Sequence, residues 1–180
     1  MSQFLAYRGF SLQRAARPTK ILLTAFTTVV ALAVGVGILM YQVRTRLTPV
    51  GGVEYYSDSE LDPGPSALEL LDSTHPHLFA SAFLLFVLGH LFALTRASGR
   101  LKVRLALLGF GAVVVDAAAP WIVRFLWPPF AAVQVVNIAL MAAVIVIYLA
   151  VPLYEMWFAP SAPPPAPSAL RSEPQPVSSS

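Results

Sequence analysis

All three histidines of the chain, His75, His77 and His90, lie in one largely apolar stretch. Imidazole side chains ligate haem iron and divalent metals, so this stretch contains candidate ligands for either. Two histidines that ligate two stacked haems from one helix should be about four turns, or roughly 14–15 residues, apart. His75 and His90 are 15 residues apart and about 60° out of phase, whereas His77 and His90 are 13 apart and about 140° out of phase. The spacing predicts b-type haem binding through His90 together with His77 or His75.

Three aromatic residues, Phe79, Phe83 and Phe86, share an arc of about 80° with His90 if the stretch is helical. Flat rings beside an imidazole suit a porphyrin pocket. Because bis-histidine ligation uses two imidazoles for each haem, one chain does not complete two haems. The remaining ligands would come from a homodimer that packs second span against second span, from a partner chain, or from a methionine such as Met141.

Two other roles are open for the same side chains. His75, His77 and His90 are candidate metal ligands, and the H-x-H pair lies close in sequence to the carboxylates of Glu69 and Asp72. Alternatively, the histidines are hydrogen-bonding groups at a helix start and between helices, with no cofactor.

The position of His75 depends on where the helix begins. Pro76 follows His75, and the residue before a proline avoids the helical region of backbone conformation. We therefore predict that His75 is an N-cap or loop residue, with Thr74 helping to cap a helix that begins at about residue 76.

Two further ionisable residues are candidate site residues because charges inside a membrane are costly. Asp116 is the most deeply placed acid, roughly 10 Å from the outer interface at 1.5 Å per residue. Antiparallel packing would put it between the depths of His77 and His90, nearer His77, and a His–Asp contact between the second and third spans is then expected.

Arg124 is expected to be an interfacial anchor or, alternatively, to hold an anionic lipid or a quinone carbonyl. Glu155 is either a snorkelling residue or part of a binding surface.

The composition excludes several classes of protein. Of 180 residues, 57% are apolar and only 12% charged, about half the charged fraction of a soluble domain. The chain has no cysteine, which excludes disulfides, c-type haem attachment and cysteine-ligated iron–sulfur clusters. We find neither a basic stripe interleaved with aromatic residues nor a nucleophile–base constellation. Nucleic-acid binding and a catalytic activity of the chain itself are therefore not expected.

Four stretches are long and apolar enough to cross a membrane, so we predict an all-α membrane four-helix bundle. The predicted spans are about 21–43, 76–95, 103–123 and 130–157, within a membrane domain of 21–158. A segment 1–20 precedes the domain, loop 44–75 joins the first two spans, and a Pro/Ser-rich tail, 159–180, is expected to be disordered. Within the loop, the sequence SALELLDS predicts a short amphipathic helix that caps the bundle.

The distribution of Lys and Arg predicts the orientation. Four basic residues precede the first span and four lie between the second and third, whereas acidic residues concentrate in loop 44–75. The positive-inside rule then puts both termini on the cytoplasmic side of a bacterial inner membrane and the loop in the periplasm.

Close helix packing is expected at four glycines, Gly35, Gly37, Gly109 and Gly111. Gln134 and Asn137 are expected to hydrogen-bond between helices.

Several short motifs occur together along residues 20 to 158. They are L-T-P-x-G with E-Y-Y (Leu47 to Tyr56), T-H-P-H-L-F (Thr74 to Phe79), G-H-L-F (Gly89 to Phe92), D-x-x-A-P-W-x-x-R (Asp116 to Arg124) and P-L-Y-E-M-W (Pro152 to Trp157). On these motifs the chain resembles a group of small bacterial four-span inner-membrane proteins with one sizeable periplasmic loop. The resemblance implies an architecture rather than an activity. The histidine spacing is more loosely similar to that of membrane b-type cytochromes.

These patterns together favour a small membrane subunit of a respiratory or photosynthetic redox complex that binds b-type haem. Its expected partners are membrane lipid, other subunits or a homodimer partner, and a quinone or periplasmic electron carrier. On this hypothesis Asp116 orients a histidine or lies on a proton path. The competing hypotheses are a non-catalytic accessory subunit that packs against larger subunits, and a periplasmic-side protein that binds metal through the H-x-H pair.

Overall fold

The chain folds into helices throughout the part that the structure describes. The computed structural model describes residues 12–57 and 63–159, and no strand occurs among them. The helices are α1 (Arg17–Thr45), α2 (Pro49–Tyr56), α3 (Ala67–Ala93), α4 (Gly99–Phe125) and α5 (Ala131–Trp157), with 3-10 turns at Leu12–Arg14 and Pro128–Phe130. All but α2 belong to segments long and apolar enough to cross a membrane. The predicted all-α, four-span membrane architecture is confirmed.

The start of α3 differs from the prediction. The helix begins at Ala67, where the Ser66 side chain accepts a hydrogen bond from the Glu69 N–H and the Glu69 carboxylate accepts one from the Ser66 N–H. This reciprocal capping box starts the helix nine residues before the predicted position of 76. The segment SALELLDS therefore forms the first turns of α3 and not a separate surface helix.

His75 consequently lies inside α3, and the prediction that it is an N-cap or loop residue is wrong. The helix continues through Pro76. A proline removes one backbone donor and disfavours the helical region for its predecessor, but neither effect stops a membrane helix that is already capped upstream. Thr74 is likewise inside the helix, and its Oγ1 accepts a hydrogen bond from the Trp121 Nε1–H of α4 at 3.0 Å.

Helices α3, α4 and α5 form the core of the bundle. Leu88 and Phe92 of α3 are buried against Val144 and Tyr148 of α5. The three helices come close together at Gly109 of α4. A Cβ there would lie 3.3 Å from Leu85 Cδ1 and 3.4 Å from Val144 Cγ1. Side chains of two helices therefore fill the space that this glycine leaves.

The other glycines that were expected to permit close packing do not lie at close contacts. A Cβ at Gly35, Gly37 or Gly111 would meet no atom within 4 Å among the described residues. Of the four glycines, Gly109 is the one that lies at a close contact between helices within the described part of the chain.

The short helix α2 covers one end of the bundle, which we call the α2 end. Thr48 caps α2, with its hydroxyl accepting from the Gly51 N–H at 3.0 Å. Gly51 also approaches the end of α1 closely, because a Cβ there would lie 2.0 Å from Thr45 O. Helical turns occupy most of the described residues of loop 44–75.

The opposite end, which we call the termini end, holds residues of the predicted N-terminal segment. Leu12 is buried against Leu91 of α3 and Met156 of α5. The predicted segment 1–20 is therefore anchored to the bundle from Leu12 onward, and α1 begins within it at Arg17. The predicted disordered tail lies outside the described residues, apart from Ala159.

Candidate functional site: an exposed face of helix α3

One face of α3 carries two of the three histidines with all three candidate phenylalanines between them. His75 and His90 are exposed, and Phe79, Phe83 and Phe86 leave 73%, 61% and 54% of their surface uncovered. Because His75 belongs to the helix, the five residues share an arc of about 80°, and the two histidines are about 22 Å apart along the axis. We call this row of five residues the α3 face.

Among the described residues, one ring nitrogen of His90 has a hydrogen-bond partner, and this partner lies in the same helix. The His90 Nδ1 lies 2.9 Å from the Phe86 carbonyl oxygen, one helical turn earlier. A carbonyl oxygen only accepts hydrogen bonds, so in the neutral imidazole Nδ1 carries the proton and Nε2 has the lone pair. The Phe86 ring centroid lies 4.2 Å from that of His90. An imidazole whose Nδ1–H is held by a backbone carbonyl is oriented as a ligand through Nε2.

The two phenylalanines nearer the α2 end lie parallel to each other. The rings of Phe79 and Phe83 are 6.5 Å apart with an interplanar angle of 8°. They form a pair of parallel rings between the levels of His75 and His90.

His77 lies on a different face, where it contacts α4. Its Nε2 is 2.8 Å from Asp116 Oδ2, which is the contact that the depths of the two residues predicted. The His77 side chain is 57% exposed and that of Asp116 only 14%. Together with the Thr74–Trp121 hydrogen bond, the pair joins the α2 ends of α3 and α4.

The helical conformation also separates the two histidines of the H-x-H pair. Residues two apart in a helix point about 200° from each other and do not face the same side. Among the described residues no group of three His, Asp or Glu side chains is placed to hold a metal ion. Metal binding by His75, His77 and His90 stays a prediction that metal analysis of the protein would test.

A second cluster of polar side chains lies under α2. The sequence predicted two of its members, Gln134 and Asn137, but not Tyr56. Gln134 of α5 is buried and hydrogen-bonds the Tyr56 side chain of α2, while Asn137 Nδ2 donates to Ala112 O of α4 at 2.9 Å. Both residues join helices, as predicted. Burial raises the pKa of the Tyr56 hydroxyl to about 12, and the hydrogen bond from Gln134 opposes that rise. Sequence reasoning missed Tyr56, although the E-Y-Y motif and the apolar turn before it were a signal.

Glu155 is a structural residue of the termini end. It is buried, and its two carboxylate oxygens lie 2.8 and 3.0 Å from the Arg96 N–H, which donates to them. Lys102 Nζ donates to the carbonyl oxygens of Ala93 and Thr95 at 2.8 and 2.7 Å. The turn between α3 and α4 is therefore held by side chains of α4 and α5, and Glu155 is not a snorkelling residue.

Two other candidates lie away from the α3 face. Met141, considered as a haem ligand, packs against the core from α5. Arg124 is half-buried in the last turn of α4, with its guanidinium 5.6 Å from the Phe125 ring centroid. Its expected contact with a lipid or quinone stays a prediction.

Length, composition and fold together define an all-α, multi-pass integral membrane protein. More particularly, the chain belongs to the Aq_1264_TM family, described as a transmembrane helical domain, whose model matches residues 46–163. The match covers more than half of the chain, from α2 to α5, and leaves α1 outside. No curated protein and no solved structure matches the chain. The family accords with the small four-span membrane protein that the motifs suggested, whereas the cytochrome similarity stays a hypothesis.

Proposed function

We propose that this protein is a small integral-membrane subunit of a respiratory or photosynthetic redox complex, and that it binds b-type haem on the α3 face. The observation that carries the proposal is the continuous helix through His75. It puts His75 and His90 on one exposed face, four turns apart, with three aromatic side chains between them. Of the two partners considered for His90, this geometry favours His75, because His77 Nε2 contacts Asp116.

Each imidazole would supply one ligand to a haem iron at its level. The second ligand would come from a histidine at the same depth on a helix of another subunit, since the α3 face offers one imidazole per level. The ring of Phe86 beside His90 and the parallel rings of Phe79 and Phe83 would flank the porphyrins. Bound haem would supply one-electron chemistry, and the residues of α3 would hold it and exclude lipid from its faces.

The place of such a subunit follows from the charge distribution of the sequence. Both termini would be cytoplasmic in a bacterial inner membrane, with α2 on the periplasmic side. The 22 Å between the histidines is most of the roughly 30 Å hydrocarbon core, so the two levels would lie in opposite leaflets. Electrons would pass between a periplasmic donor and a quinone or partner subunit.

The test is a reduced-minus-oxidised absorbance spectrum of the full chain, captured by a tag from its native membranes in lipid nanodiscs so that partner subunits stay bound. Haem per chain is measured alongside. His75→Ala and His90→Ala should each lose about half of the haem, and the double variant should lose all of it. His77→Ala is the matched control, because it changes the same helix on another face, and it should keep the full spectrum.

Two results would contradict the proposal. One is a folded chain from haem-replete membranes with no α and β bands. The other is full haem content in the double variant. Either result would favour the non-catalytic accessory subunit, in which the exposed phenylalanines of α3 pack against a larger subunit and the histidines hydrogen-bond at that interface.

A further inference from the structure

Helix α1 carries a heptad repeat on its outward face. Two sets of positions, seven residues apart and offset by three, are apolar without exception over three heptads. The first set, at the a position, is Leu22, Val29, Val36 and Val43, and the second set, at the d position, is Ala25, Leu32 and Leu39. We call these seven residues the α1 seam. Apolar residues at a and d over three heptads fit a helix that packs in a left-handed coiled coil, a crossing that is common among membrane helices.

The seam points away from the protein's own bundle. The opposite positions of the heptad are Thr27, which is buried, Val34, which packs against the core, and Tyr41, whose hydroxyl lies 3.9 Å from the Cβ position of Gly52. The six larger seam residues, by contrast, are between 60% and 76% exposed. Within one chain the seam packs against no other helix of the described residues, so in a membrane either lipid or another helix covers it.

The rotation of α1 that exposes the seam is fixed at the termini end. Lys20 Nζ donates to Met156 O at 2.8 Å, and Trp157 Nε1 donates to Thr24 Oγ1 at 3.0 Å. The Lys20 ammonium also lies 5.6 Å from the Trp157 ring centroid. These contacts join α1 to α5 on the side away from the seam.

The residue types of the seam fit a second copy of the same helix. Two copies of one protein inserted in the same orientation present α1 in parallel and at equal depth. Valine at a with leucine at d is the combination that favours two parallel strands. A strict seven-residue repeat drifts by about 20° per heptad on a straight helix, which brings two such seams together in a left-handed crossing of about 20°. Thr28 and Gly35, small residues beside the seam, allow close approach of the backbones.

We propose that α1 is a dimerisation helix, through which two copies of the chain associate in parallel by packing their α1 seams in a left-handed coiled coil. The seam runs over 21 residue steps, about 31 Å, and so spans the hydrocarbon core. The proposal concerns a different helix from the α3 face and does not depend on haem.

Cysteine cross-linking tests the proposal directly, because the full chain contains no cysteine. Leu32→Cys, Val36→Cys and Leu39→Cys should form disulfide-linked dimers on mild oxidation in liposomes at a high lipid-to-protein ratio. Ala31→Cys, at the same depth on α1, and Val114→Cys, an exposed position near the middle of α4, should cross-link at least tenfold less. Equal cross-linking at the seam and control positions would overturn the proposal, as would its absence at every seam position.

A dilution series measured by energy transfer between labelled copies gives the affinity. Val36→Phe changes the shape of the seam and should weaken dimerisation at least tenfold, which is about 1.4 kcal/mol. Val114→Phe is the control and should leave the affinity unchanged. An unchanged affinity in Val36→Phe, with the helical circular dichroism spectrum retained in both variants, would overturn the proposal.

Discussion

Removal of the Glu155 carboxylate is the sharpest test of how the termini end is held together. In the structure this buried carboxylate accepts the Arg96 N–H through both oxygens. The Arg96 guanidinium also donates to Gln13, so the same turn holds the N-terminal residues. Glu155→Ala would leave this part-buried backbone donor without its acceptor.

The size of the effect follows from the type of bond. A hydrogen bond to a charged group contributes about 1.5–3 kcal/mol, so Glu155→Ala should lower the free energy of unfolding by about that amount. Glu155→Gln keeps an oxygen that accepts the Arg96 N–H but removes the charge. Because charge-assisted bonds are roughly twice as strong as neutral ones, this variant should lose about half as much. Tyr154→Ala, at an exposed position next to Glu155, should change the free energy by less than about 0.5 kcal/mol.

Unfolding by increasing mole fractions of SDS in mixed micelles, followed by circular dichroism, gives these free energies. The expected order of stability is the parent protein and Tyr154→Ala first, then Glu155→Gln, then Glu155→Ala. If Glu155→Gln were as stable as the parent and Glu155→Ala lost less than about 0.5 kcal/mol, the carboxylate would not hold the turn. Other contacts of α5 would then have to hold the termini end together.

Three further predictions concern other parts of the bundle and use the same unfolding assay. Gly109→Val should lower the free energy of unfolding by about 1–3 kcal/mol through overpacking, whereas Gly111→Val, in open space, should not, and equal losses would contradict the packing described here. Asn137→Leu should cost on the order of 0.6–2 kcal/mol, since it removes the buried bond to Ala112 O, and a stabilised variant would refute that assignment. For Tyr56, folding favours the neutral phenol, so its contribution is complete below pH 10 and is lost as the pH rises to about 12. Between about pH 9.5 and about pH 11, which bracket the ordinary tyrosine pKa of about 10, the free energy of unfolding should therefore fall by more in the parent than in Tyr56→Phe. An identical fall in the two proteins would contradict the burial of Tyr56.

The His77–Asp116 contact shows how far sequence reasoning reaches into the site. The depths of the two residues followed from span boundaries and a rise of 1.5 Å per residue, so the pairing was predictable. The consequence of the pairing was not predictable. His77 of α3 contacts Asp116 of α4, and His75 is left with His90 on the α3 face. That division depends on the rotation of α3, which a span prediction does not specify.

The role of Glu155 illustrates the opposite case. The motif P-L-Y-E-M-W identified the residue, but not the Arg96 N–H that it binds 59 positions away. A single backbone donor in a turn has no sequence signature. Only the packing of α5 beside that turn selects Glu155 as its acceptor.

The class of fold was predictable from the sequence, because a span must satisfy its backbone hydrogen bonds internally and needs about 20 apolar residues, both of which are local properties. The sequence also contained the start of α3, since the S-x-x-E signature at Ser66 outweighs the restriction that Pro76 imposes. The tertiary structure alone decided that Gly109, and not Gly111, lies at a close contact, and that the α1 seam faces outward. Helix rotation and depth are set by the sum of many weak interhelical contacts, and no single residue encodes them.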